Sequence, residues 1–263
     1  MKDSTIELET EAGQSEAEAE SGKMSFLEHL DELRRRLIRI ITYLGIGFAA
    51  CFYFSKDIYN WISIPITRSL NGAKLVYTNP TDPFTMYIKV AMLAGIFLTV
   101  PLSLYEVWKF IAPGLYRREK KYVVPFMVSS VILFLAGGAF CYYFVLYPAY
   151  AILLQIGGNF TPMITINEYL DLTLMMLLGF GLIFEMPVIV AFLSMFGLVS
   201  ARFLWSKFKY SIVIMVAVAA ILSPTGDAFN LLIWSAPMIL LYLLSIGVAA
   251  LFGRQRKRRE RSA

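Results

Sequence analysis

The sequence predicts an all-α polytopic membrane protein with six transmembrane helices, kinked into a concave bundle, and with both termini cytoplasmic. Three observations predict this fold: an apolar composition, six separate apolar runs, and an uneven distribution of basic residues. Hydrophobic residues make up 58% and charged residues 16% of the 263 residues, whereas soluble domains are about half apolar and about a quarter charged. The composition therefore favours a membrane protein.

The six apolar runs are judged by length, because a transmembrane helix needs about 20 largely apolar residues. They lie at residues 37–54, 87–108, 122–147, 169–198, 210–222 and 231–252. The fifth run has only 13 residues before Ser223 and Pro224, and a short span thins the bilayer locally or depends on neighbouring helices. A re-entrant fifth segment is the alternative, and it would put the C-terminus outside.

Prolines recur within or beside these runs, at Pro101, Pro125, Pro148, Pro187 and Pro237. Membrane helices tolerate proline because neighbouring groups satisfy the freed carbonyls. Repeated kinks predict curved helices and a concave surface, although kinks are also common in membrane bundles of other kinds.

Basic residues indicate the orientation. With six spans, 20 of the 24 Lys and Arg fall on the side of the termini and 4 on the other side. Lys and Arg concentrate in cytoplasmic loops, so both termini are predicted to be cytoplasmic. The net charge of +5 then reflects topology, and no nucleic-acid partner is predicted.

Three regions are predicted: a disordered acidic tail (1–23), a six-span membrane domain (24–252) and a basic cytoplasmic tail (253–263). Ser25 and Glu28 fit a capping box that would begin an amphipathic helix running into the first span. Along that helix Asp31/Arg35 and Glu32/Arg36 have the spacing of favourable ion pairs. The connection over residues 55–86 is predicted to form an ordered outer cap, and Cys51 and Cys141 to be unpaired.

The sequence contains few residues that could form a catalytic or metal-binding site. His29 is the single histidine, so histidine-based triads and multi-histidine metal sites are excluded. No phosphate-binding loop, zinc-protease motif or nucleophile elbow occurs. The chain is predicted not to be an enzyme and to need no cofactor.

Glu185 is the one acid predicted to lie deep in the membrane. An ionised carboxylate at the bilayer centre costs at least about 2.5–3.5 kcal/mol. The side chain is therefore expected to face a wet cavity, pair with another helix or be protonated. Pro187 predicts a distorted helix around it.

Residues 105–121 combine aromatic side chains, a Pro-Gly turn and one acid, Glu119, among basic neighbours. In a plain cytoplasmic loop Glu119 would be a solvated charge. In a recognition surface it would offer a carboxylate to a guanidinium group, a pairing with strong bidentate geometry.

The run from Tyr105 to Lys120 resembles the first cytoplasmic loop of TatC, the membrane core of the twin-arginine protein translocase. His29 to Arg36 resembles the N-terminal motif of that family. Phe184-Glu185-Met186-Pro187, and Leu222-Ser223-Pro224 with Asp227, resemble its motifs in the fourth span and the last turn. The resemblance covers about residues 24–252 in the same order.

The resemblance implies a multi-pass receptor in the cytoplasmic (inner) membrane of a bacterium. It would bind twin-arginine signal peptides on its cytoplasmic face. With TatA- and TatB-type single-span partners, and other TatC copies, it would export folded proteins using the proton-motive force. The alternatives are a proton-coupled secondary transporter using Glu185, which would be expected to contain an inverted repeat, and a scaffold for other membrane proteins.

The resemblance also implies roles for individual residues. Glu32 and Glu119 would receive the signal arginines, on a surface shaped by Arg34, Phe110 and Pro113. The remaining roles concern the membrane and its far side: Pro65 would order the outer cap, Glu185 would line the concave pocket, and Ser223 and Asp227 would lie near the partner-helix site. A glutamine expected early in the sixth span is absent, with Asn230 and Leu231 in its place, so polar contacts to the partner helix would differ.

Overall fold

The structure is a computed structural model that describes the backbone of residues 3–70, 75–112, 122–158, 160–161, 163–222 and 228–261, and side chains from Leu27 to Leu251 within those ranges, except at 222 and 228–230. This part of the chain is helical, with one isolated parallel bridge between Val76 and Thr165. The helices are α1 (Asp3–Tyr53), α2 (Ser55–Ile62), α3 (Ile64–Ser69), α4 (Asp82–Ile111), α5 (Val123–Phe140), α6 (Leu146–Ile156), α7 (Ile166–Phe184), α8 (Met186–Met195), α9 (Ala201–Ser206), α10 (Phe208–Leu222) and α11 (Ala228–Arg261).

Five helical segments in the described residues are long and apolar enough to cross a membrane, and they match five of the six predicted runs. They are Leu27–Tyr53, Asp82–Ile111, Val123–Ile156, Ile166–Met195 and Leu231–Leu251. The sixth run forms α10, a shorter apolar helix. The structure thus confirms an all-helical, multi-span protein and the short length expected of the fifth run.

Helix α1 differs from the prediction at its beginning. The composition predicts a disordered tail over residues 1–23 and a helix start at Ser25, but the backbone is helical from Asp3. The capping box at Ser25 is therefore wrong. Glu and Ala are strong helix formers, and no proline precedes Ser25 to stop a helix. Local helix propensity therefore accounts for the earlier start of α1.

Helices α1 and α4 meet through two glycines. A Cβ on Gly47 would lie 2.5 Å from Thr99 Cγ2, and one on Gly95 would lie 2.8 Å from the Phe48 backbone nitrogen. Small residues let helix backbones approach closely in membranes, where dispersion contacts and hydrogen bonds drive packing. About three turns along each helix from this contact, Arg36 of α1 meets Glu106 of α4, so the two helices run antiparallel.

The third and fourth predicted spans are interrupted rather than continuous. Helix α5 passes through a π-helical turn at Cys141–Val145 into α6. Helix α7 ends at Phe184 and α8 begins at Met186, with Glu185 between them and Pro187 in the first turn of α8. The distortion predicted around Glu185 is confirmed, because a proline removes a backbone donor and clashes with the preceding turn.

The cap, here residues 55–70 and 75–82, rests on the end of the bundle. Tyr142 and Tyr169 donate hydroxyl hydrogen bonds of 2.6 Å to the backbone carbonyls of Trp61 and Ile62, and the Trp61 and Tyr142 rings stack at 4.1 Å. The described part of the predicted cap is therefore ordered. Cys51 and Cys141 are both buried and free, as predicted.

Candidate functional site

The charged face of α1 meets the last turns of α4. Arg35 donates to Asp31 and Arg36 donates to Glu32, one helical turn apart in each case. Both ion pairs expected from the spacing are confirmed. They place Glu32 beside the end of α4, because Arg36 also contacts that helix.

Glu106 of α4 is the centre of this contact. It is only 3% exposed, and its Oε2 accepts from Nη1 of Arg36 at 3.0 Å and from Nη1 of Arg39 at 3.4 Å. The hydroxyl of Tyr43 lies 3.5 Å from its Oε1. We call Glu32, Arg36, Arg39 and Glu106 the carboxylate–guanidinium cluster.

Glu106 is the functional candidate that sequence reasoning missed. The sequence singles out Glu185 as the deep acid, yet Glu106 is the more buried of the two, at 3% against 9% exposed. An acid near the end of an apolar run is easily taken for a solvated flank. The available signal was the pair Arg36 and Arg39, about one turn apart on α1, which needed an acid opposite them.

Arg36 donates to only one of the two oxygens of the Glu32 carboxylate. Nε and Nη2 of Arg36 both donate to Oε1 of Glu32. Its other oxygen, Oε2, lies 3.9 Å from Nδ1 of His29. The His29 ring stacks on Phe110 with centroids 4.3 Å apart, so the structure brings Phe110 and Glu32 together through His29.

A cavity of about 420 Å³ opens over this surface and is lined entirely by charged residues. They are Glu28, Asp31, Glu32, Arg35, Arg36, Arg39 and Lys109. A site lined in this way suits a charged, hydrogen-bonding ligand rather than an apolar one. Within the described residues, no group of His, Cys, Asp and Glu could hold a metal ion.

The other predicted site residues divide between described and undescribed parts. Arg34 is exposed on α1 and lies outside the lining of the cavity. Pro65 is buried in the first turn of α3, a position where a missing N–H costs little. Pro113, Glu119, Ser223 and Asp227 lie outside the described residues.

Glu185 lies within the span Ile166–Met195, at the break between α7 and α8. Its carboxyl group interacts with the Ser130 hydroxyl of α5, which also accepts a 3.1 Å hydrogen bond from Nε1 of Trp108. Its Oε1 has no hydrogen-bond partner in the described part of the chain. A row of polar groups thus runs from the last turns of α4 to Glu185.

The far end of the bundle has its own polar contacts. Asp82, at the beginning of α4, accepts from the backbone nitrogens of Thr78 and Asn79 at 2.9 Å and from Nδ2 of Asn167 at 2.7 Å. Nζ of Lys89 lies 2.5 Å from Oδ1 of Asp171. The Asp82 contacts join the cap to α7, and the Lys89–Asp171 pair joins α4 to α7.

The fold and the site together define a multi-pass helical membrane protein in which an ion-pair cluster forms around a buried glutamate where α1 meets the end of α4. The family described as Sec-independent protein translocase protein (TatC) matches residues 28–237. The chain belongs to the TatC family. It is therefore a subunit of a protein translocase, which is not an enzyme in the catalytic sense, and its apolar helices agree with a multi-pass inner-membrane protein.

Individual relatives support this assignment. The chain is 50% identical over 244 residues to a TatC protein of Koribacter versatilis (strain Ellin345), covering 91% of this chain and 90% of the relative. It is 35% identical over 237 residues to a TatC protein of Aquifex aeolicus (strain VF5), covering 89% and 98%. A crystal structure described as the twin arginine translocase receptor TatC superposes with a TM-score of 0.77 at 34% identity, covering 85% of this chain and 99% of that one.

Proposed function

We propose that this protein is the receptor subunit of the twin-arginine translocase and that Glu32 accepts a guanidinium group of the signal peptide. The observation that carries the proposal is the half-used Glu32 carboxylate. One oxygen accepts from Arg36, and the other lies 3.9 Å from Nδ1 of His29 in the His29–Phe110 stack. Glu32 also lines the charged cavity. A carboxylate with a spare oxygen suits a forked cation that approaches from outside.

The proposed orientation has six spans with both termini cytoplasmic. Helix α10 would be the short fifth span, and the excess of Lys and Arg on the side of the termini supports this arrangement. Glu32 would then lie on the cytoplasmic face, where a precursor arrives, and the cap would lie on the outer face. Cysteine accessibility at Ser69 in the cap, compared with Glu28 on α1, tests this orientation in intact cells.

Selectivity for arginine follows from the shape of the side chain. A guanidinium group is planar and presents a rigid fork of donors, whereas a lysine ammonium is a point charge that cannot reproduce the fork. Glu119 would receive the second arginine, and Arg34, Phe110 and Pro113 would shape the surface. The Phe110 ring, held against His29, offers an apolar edge beside the charges.

Transport would need partners and a source of energy. TatA- and TatB-type single-span proteins would bind near Ser223 and Asp227, further copies of this chain would complete the assembly, and the proton-motive force would drive export of folded proteins. Glu185 would face the concave side of the bundle, where its partly unpartnered carboxyl group could meet a polar group from a partner helix.

A binding measurement tests the receptor role. A fluorescent peptide with consecutive arginines should bind the purified protein in detergent and should lose binding when both arginines are changed to lysine. Glu119→Ala should abolish crosslinking to the arginine peptide, while membrane insertion and yield stay unchanged. Asp171→Asn, at the Lys89 ion pair, is the matched control and should bind normally. Equal affinity for the two peptides, or normal export by Glu119→Ala, would contradict the proposal.

A further inference from the structure

The buried Glu106 carboxylate has no role in the recognition proposed so far. A charge in so dry a position is strongly unfavourable unless it is paired and hydrogen-bonded. The chain supplies two guanidinium groups from α1 for this one carboxylate, Arg36 and Arg39. One of these two partners, Arg36, is shared with Glu32.

Arg36 divides its guanidinium between two carboxylates. Nη1 donates to Glu106, while Nε and Nη2 both donate to the same oxygen of Glu32. An arginine that pairs with a single carboxylate normally directs two parallel N–H donors at its two oxygens. The contact with Glu106 therefore leaves Oε2 of Glu32 without a donor from Arg36.

We propose that Glu106 is a positioning residue that determines how well Glu32 receives an external arginine. Glu106 binds Arg36 and Arg39. The negative charge of Glu32 is therefore only partly compensated, and one of its oxygens receives no hydrogen bond from Arg36. Without the Glu106 charge, two guanidinium groups would face Glu32 alone, neutralise it and repel an incoming cation. This inference rests on the proposed receptor function and extends it to a residue that does not touch the peptide.

The four charges of the carboxylate–guanidinium cluster balance, two positive and two negative, and this balance gives the inference its test. Glu106→Gln removes one negative charge with little change of shape and should weaken binding of the twin-arginine peptide about tenfold, the size of one lost charge-assisted interaction. Adding Arg36→Gln restores the balance and frees Glu32. The double variant should bind within about threefold of the unchanged protein.

The experiment measures the affinity of the full-length protein in detergent for the twin-arginine peptide and for its twin-lysine counterpart, with Asp171→Asn as the control acid-to-amide change. A lack of preference between the two peptides in the unchanged protein would defeat the receptor proposal itself. If that preference holds, unchanged affinity in Glu106→Gln would overturn the positioning role. A loss that Arg36→Gln does not repair would also overturn it, because Glu106 would then only support the fold. If Glu106→Gln does not fold, the double variant is compared directly with the unchanged protein. Affinity within about threefold supports the positioning role, and a larger loss overturns it.

Discussion

The two ends of the bundle use carboxylates in opposite ways. Asp82, at the cap end, has both oxygens engaged by neighbouring donors, namely Thr78, Asn79 and Asn167. Glu32, at the other end, lines an open cavity. One of its oxygens is engaged by Arg36, and the other has only the His29 ring nitrogen at 3.9 Å. A saturated carboxylate fixes a loop, whereas a half-satisfied one can still accept a ligand.

The surroundings of the two acids reinforce this difference. The donors to Asp82 are backbone N–H groups, a hydroxyl group and an amide, all of them neutral. The partner of Glu32 is an arginine that also belongs to Glu106. Competition between two acids for one guanidinium group makes the affinity of the Glu32 site adjustable. Four measurements test this difference between the two ends.

The largest effect is expected where α1 and α4 touch, because this contact supports the carboxylate–guanidinium cluster. In Gly95→Leu the new side chain would meet the backbone of α1 at Phe48, and overpacking of a close contact is strongly destabilising. We expect little folded protein after detergent extraction, measured by size-exclusion chromatography. Gly45→Leu is the matched control, because a Cβ at Gly45 meets nothing within 4 Å. Equal recovery of both variants would disprove the role of the glycine contact.

At the cap end, Asp82→Ala should lower the thermal midpoint by about 10 °C, because it leaves several donors without an acceptor. The twin-arginine peptide should still bind with normal affinity at low temperature, since the cap and the cluster lie at opposite ends. Thermal unfolding in detergent, followed by circular dichroism, measures the first effect. The exposed Asp57 of α2 provides the control substitution to alanine. A simultaneous loss of peptide affinity would show that the two ends are coupled.

At the cluster, Glu32→Gln should show the reverse pattern. Affinity for the twin-arginine peptide should fall about tenfold, as for the loss of one charge-assisted hydrogen bond, while the thermal midpoint changes little. Asp31→Asn removes a neighbouring acid whose partner, Arg35, is exposed, and it should reduce affinity less. Fluorescence anisotropy with the labelled peptide measures both. Equal effects of the two changes would indicate general attraction by negative charge instead of a specific acceptor.

The smallest effect is expected at the Lys89–Asp171 ion pair. Asp171 is 62% exposed, and exposed ion pairs contribute about 0–1 kcal/mol. Asp171→Asn should therefore change the free energy of unfolding by less than about 1 kcal/mol, and the change should shrink further at high salt. Unfolding in detergent at two salt concentrations measures it. A larger, salt-independent loss would mean that this pair, like Asp82, fixes the cap.

Much of the fold could be predicted because its signals are local. The apolar runs identified all five long spans and the short α10, and Pro187 identified the break at Glu185. The ion pairs of α1 followed from a spacing of four residues. The predicted start of α1 was wrong, because the choice between a disordered tail and a helix depends on small differences in propensity.

The site was only half predictable. The motif residues Glu32 and Phe110 could be named from the resemblance, but their connection through the His29 ring could not. The pairing of Arg36 with Glu106 joins residues 70 positions apart. How α1 is rotated and shifted relative to α4 cannot be read from a single sequence. Packing at contacts such as Gly47 and Gly95 determines it.

That this chain crosses the membrane as apolar helices and carries the TatC motifs could be read from its residues, because bilayer thickness and local hydrophobicity act on short segments. The tertiary structure alone decided which charges meet. It buried Glu106 between two arginines, saturated Asp82 and placed Glu32 at the lining of a charged cavity. The physical reason is that an ion pair depends on the distance between side chains, and only the packing of α1 against α4 fixes that distance.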